Sequence, residues 1–95
     1  MQHDVFVQKL KDVFLECVTL ADVKNHDYAK VEDALENFRD FGTMGIIVRL
    51  GDKYKRLKNI IQKWEIAVSD ERVVDTLRDL IVYGAIAVIL EQEGD

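Results

Sequence analysis

The chain contains no proline, and over several long stretches its apolar residues recur every three or four positions. Proline removes a backbone donor and clashes with the preceding helical turn, so a chain without it can run long helices without a forced break. Apolar residues at those steps share one helical face. Both features predict an all-α fold. Four helical segments follow from the pattern. The first spans about Asp4 to Val23, with Phe6, Leu10, Val13, Phe14, Cys17, Val18 and Ala21 along one side. A polar stretch, KNHDYAK, precedes a short amphipathic segment, VEDALENFRDF, that ends at Gly42, a residue suited to stopping a helix. The third helix runs from about Met44 to Trp64, with Ile46, Ile47, Leu50, Tyr54, Leu57, Ile61 and Trp64 on its apolar face and Gly51 inside it. The fourth runs from Ser69, a suitable N-cap, to about Glu91, leaving Gly94 and Asp95 to fray.

Length and charge narrow the functions. Ninety-five residues are expected to form one domain, with a core small enough to favour completion by other subunits. A formal charge of −5 disfavours polymeric nucleic acid as the main partner, because phosphate neutralisation needs a basic face. The single Cys17 cannot form an internal disulfide, reads as a small core residue, and suits a reducing, cytoplasmic location. No signal peptide is expected. No apolar run is long enough to span a bilayer, so no membrane partner is expected.

The last helix carries an unusual pattern. At about 100° per residue, Val73, Leu77, Leu80, Ile81, Gly84 and Val88 form a core stripe. Glu71, Asp75 and Asp79 occupy roughly the opposite side, and Val82, Ile86 and Ile89 continue that side toward the C-terminus. Water disfavours an aliphatic stripe, so this side is expected to be covered, by a helix of the same chain or, as the favoured reading, by a second subunit. Carboxylates four residues apart repel on a bare helix. Either they form a solvated or salt-bridged face, or they share a hard divalent cation such as Mg²⁺ or Mn²⁺. On the third helix Arg49, Asp52, Arg56 and Asn59 fall on one flank, with Lys53 nearer the apolar edge. Arg and Lys suit phosphate oxygens, and Asp52 could join a metal set. The same spacing also allows a plain Asp52–Arg56 ion pair, or pairing of Arg56 with Asp75 or Asp79 across helices.

Read in order, KNHDYA, ENF, VRLGDKYKRLKN and DERVVDTLRDLIVY resemble the nucleotide-modification-associated domain family of phages and prokaryotes. The resemblance extends over about Lys24 to Tyr83. That family is similar to the all-α nucleoside triphosphate pyrophosphatases, the MazG and dimeric dUTPase group. The resemblance implies a four-helix, MazG-like bundle completed as a homodimer or homotetramer. It implies a Mg²⁺- or Mn²⁺-dependent reaction that releases pyrophosphate from an NTP or dNTP. Asp52, Glu71, Asp75 and Asp79 would then be metal-binding acids, with Glu71 or Asp79 orienting the attacking water. Arg49, Lys53, Arg56 and Asn59 would hold phosphate, Asp27, Tyr28 and Asn37 would shape the nucleotide end, and Tyr83 would contact an acid through its hydroxyl. The chain departs from the MazG group in lacking an E-x-x-E on its third helix, where Arg49-x-x-Asp52 stands. The alternative expectation is a nucleotide-binding or structural helical oligomer without turnover.

Overall fold

A computed structural model describes residues 1–26, 35–63 and 71–94. Among these residues the elements are four helices and no strand: α1 (His3–His26), α2 (Glu36–Arg39), α3 (Gly42–Gln62) and α4 (Glu71–Gly94). The helix order matches expectation, and the ends of α1, α3 and α4 differ from it by one to three residues; α2 is shorter than the expected segment, whose first four residues, 31–34, lie outside the described residues. Gly94 is still helical rather than frayed. Ser69, the expected N-cap, and Trp64 lie outside the described residues.

The chain falls into two units, Met1–Ala34 and Leu35–Asp95. In the first, α1 is an uninterrupted helix. Gln8 donates to Asp12 at 2.9 Å, a one-turn pair that supports the helix surface, and the Thr19 hydroxyl donates to the Leu15 carbonyl at 3.0 Å. Cys17 is buried, as a small core residue should be, while Phe6, Phe14 and Val18 are exposed.

In the second unit α3 packs on α4, and α2 packs on the start of α3. The paired positions fix the direction of the α3–α4 seam. Lys53 bonds to Asp79, Arg49 lies over Tyr83, and Thr43 donates to Glu91. As the α3 number falls, the α4 number rises, so the helices are antiparallel. Ile46, Leu57 and Ile60 are buried on the α3 side of this unit, with Ile46 only 1% exposed. Thr76 is the buried residue of α4. Its hydroxyl donates to the Arg72 carbonyl at 2.6 Å, so burying it leaves no polar atom unsatisfied.

This seam is rotated from the one the apolar pattern predicts. Leu77 and Val88, expected in the core stripe of α4, are exposed, while Asp79 and Tyr83 meet α3 and Thr76 is buried. On α3, Ile47, Tyr54 and Ile61 are likewise exposed, Tyr54 at 63%. The physical reason is pairing. Once Lys53 neutralises Asp79 and Thr76 satisfies itself, polar residues can occupy the contact. On the acidic side of α4, Asp79 is thus met by α3 of the same chain; of the aliphatic residues that continue that side, Val82 and Ile86 are half-buried and Ile89 is exposed.

Gly42 joins α2 to α3 with φ of +59°, the left-handed region that side chains with a Cβ disfavour. It thus marks a helix junction, consistent with its expected role as a stop. Replacing Gly42 with Ala should destabilise the chain by about 1 kcal/mol, from the cost of a left-handed non-glycine residue. Urea unfolding of the two proteins checks this; equal midpoints would remove the strain argument.

Candidate phosphate-binding cleft

The flank of α3 beside the seam carries Asp52, Arg56 and Asn59, three of the polar residues singled out in the sequence. Asp52, Lys55, Arg56, Asn59 and Ile60 of α3, Lys63 at its C-cap and Arg72 of α4 line a cleft of about 540 Å³. Antiparallel packing puts Arg72 there, because the start of α4 lies beside the end of α3. Among the described residues its lining carries four cationic side chains and one carboxylate, in a chain of net −5. Among the described residues, Asp52, Lys55, Arg56 and Lys63 have no ion-pair partner. The Asp52–Arg56 pair that the spacing allows does not form, nor does Arg56 pair with Asp75 or Asp79. The donors are therefore directed at an open cleft. Arg offers two parallel N–H bonds to a phosphate, and Lys offers a compact point charge.

The acids of α4 are arranged differently. Asp79 bonds Lys53 at 3.0 Å, with the two side chains 28% and 27% exposed. Asp75 accepts from Arg78 at 3.0 Å on the open surface. Glu71 begins α4 and is exposed. Among the described residues no three His, Cys, Asp or Glu side chains converge on one point. The expected set of Asp52, Glu71, Asp75 and Asp79 is thus distributed between the cleft, the seam and the surface. Mg²⁺ commonly uses one or two carboxylates together with substrate phosphates. Asp52, within the basic cleft, fits that more modest requirement.

The remaining expected residues separate into two groups. Arg49 and Tyr83 meet at the seam, with the guanidinium 5.7 Å from the Tyr83 ring and 5.1 Å from the Phe38 ring. Asn37 lines a second, smaller cavity with Arg49. Asp27 and Tyr28 lie outside the described residues. Lys53 belongs to the seam rather than to the cleft. Sequence reasoning passed over Lys55, Lys63 and Arg72. Lys55 and Lys63 share the three- and four-residue steps of Asp52, Arg56 and Asn59, so the flank was legible in principle. Arg72 joins only through tertiary packing.

Comparison with known proteins gives no match: no family model, curated protein or solved structure corresponds to this chain.

A double-mutant cycle on Lys53→Ala and Asp79→Ala should give a coupling of about 1 kcal/mol, because the pair is only partly exposed. The coupling should shrink as salt rises. A coupling indistinguishable from zero at low salt would contradict the role given to this bridge.

Proposed function

We propose that this chain binds the phosphates of a nucleoside triphosphate in the cleft beside α3, and that it cleaves the nucleotide to a monophosphate and pyrophosphate. The observation that carries the reading is the unpaired cluster of Lys55, Arg56 and Lys63 around Asp52. The motif resemblance supplies the reaction. Arg56, Lys63 and Lys55 bind the phosphate chain and lie where negative charge develops as the leaving pyrophosphate departs. Asn59 donates to a phosphate oxygen. Asp52 holds the Mg²⁺ (or Mn²⁺) that accompanies the nucleotide. The ion, when bound, draws charge off the phosphates and lowers the pKa of a bound water. Glu71 and Asp79 remain the candidates for orienting that water, with Asp75 as a further metal ligand.

A second reading is binding without turnover. It is favoured by the ion pairs that hold Asp79 to Lys53 and Asp75 to Arg78. Pyrophosphate release from the common NTPs and dNTPs, with Mg²⁺ and with chelator, separates the two. Under the first reading, Asp52→Asn should lower release at least tenfold and leave helicity unchanged. Nucleotide binding with no release would leave the second reading.

The assembly is read as a homodimer or homotetramer in the MazG-like manner. Supporting this, Met44, Ile47, Gly51 and Tyr54 follow one another at three- and four-residue steps, and all are exposed; Ile61 lies one heptad beyond Tyr54 and is exposed too. Such spacing is the pattern of a helix–helix seam. Ile47→Glu with Tyr54→Glu should reduce the particle to one chain in light scattering. An unchanged multiple-chain mass would put the contact elsewhere. Among the described residues no helix is long and apolar enough to cross a membrane.

A further inference from the structure

The second cavity lies at the corner where α2 meets α3. It has a volume of about 290 Å³ and is lined by Asn37, Phe38, Phe41, Gly42, Gly45, Ile46, Val48 and Arg49. Its construction is specific. A Cβ on Gly45 would come within 2.5 Å of the Phe41 Cβ, so the Phe41 residue lies directly against bare α3 backbone. Phe41 is nonetheless 78% exposed. Phe38 lies behind, edge-on to Tyr83 with ring centres 6.4 Å apart. The Arg49 guanidinium lies against both rings, 5.1 Å from the Phe38 centre and 5.7 Å from the Tyr83 centre. The rings attract the cation, while its N–H edges keep their donor capacity. Asn37 adds a carboxamide, which both donates and accepts.

This combination suits a planar heteroaromatic ring: an exposed phenyl group to stack on, and an amide and a guanidinium to meet polar ring edges. The second relation is positional. On α3, Gly45, Val48 and Arg49 precede Asp52, Lys55, Arg56, Asn59 and Lys63 on the same flank at three- and four-residue steps. The apolar corner and the basic cleft are thus consecutive stretches of one helix flank. From Arg49 to Arg56 the helix rises about 10 Å, comparable with the reach from a base to the outer phosphates of a nucleotide.

We propose that the α2–α3 corner is the nucleobase subsite, with the base stacked on Phe41 and its edge read by Asn37 and Arg49. The inference rests on the phosphate reading of the neighbouring cleft and fixes the polarity of the ligand: base toward the start of α3, phosphates toward its end. It also reassigns Arg49 from phosphate to base.

The test is calorimetric titration of the full chain with Mg²⁺ and either inorganic tripolyphosphate or each of dATP, dGTP, dCTP and dTTP. Phe41→Ala should weaken the best-bound nucleotide about tenfold and change tripolyphosphate affinity less than twofold. Phe41→Trp should restore the nucleotide affinity, because it keeps an aromatic face. Arg56→Ala should weaken both ligands. Equal effects of Phe41→Ala on both ligands, or none on either, would overturn the base subsite while leaving the phosphate cleft intact. Failure of the unaltered chain to bind either ligand would overturn the phosphate reading and the subsite with it.

Discussion

The antiparallel seam of α3 against α4 is the constraint on which the second unit depends. Its middle is polar. Lys53 and Asp79 meet there, and Thr76 closes on its own helix. A buried cation or carboxylate without a partner would be costly, so each residue fixes the register of the other. The ends of the seam are tied as well. Arg39 makes a bidentate contact with Glu93, one bond of 3.0 Å, and Thr43 donates to Glu91. That anchors the short α2 and the start of α3 to the last turns of α4. The α2–α3 corner is consequently held at both ends of its turn.

The same pairing shapes the electrostatics. A chain with net charge −5 has more acids than bases, yet the α3 flank keeps an open basic cleft. Two of the acids of α4, Asp79 and Asp75, are committed to Lys53 and Arg78. Local charge therefore differs in sign from the net charge. The net value opposes a long polyanion, whose many phosphates would meet the acidic remainder of the surface. A compact anion, by contrast, experiences only the cleft.

Much of this was legible in the sequence. Proline-free stretches with apolar residues at helical spacing gave the four helices in order, and the grouping of Asp52, Arg56 and Asn59 on one flank follows from their spacing alone. Cys17 is buried as its small, apolar character suggests. The α4 stripe was misjudged because an apolar count assigns Leu77 and Val88 to the core and cannot register a cross-helix ion pair. The joining of Arg72 to the cleft was invisible for a similar reason, since it depends on which ends of α3 and α4 come together. The aromatic stack was equally hidden. Phe38, Arg49 and Tyr83 belong to three different helices, and no local spacing relates them. Phe41 stood at the edge of a segment whose end was marked only by Gly42. The acids presented the opposite difficulty. Their four-residue steps suit either a shared cation or separate ion pairs, and packing is what distributes them.

The most direct measurement of the account is a residue-resolved map of where a nucleotide lands, from backbone amide shifts of the isotope-labelled chain titrated with a Mg²⁺–deoxynucleoside triphosphate. The account predicts saturable shifts concentrated along one flank of α3, from Gly45 through Asp52 and Arg56 to Lys63, with Arg72 responding across the seam. Shifts confined to the outer face of α4 around Glu71 and Asp75, or no saturable shifts at all, would contradict it.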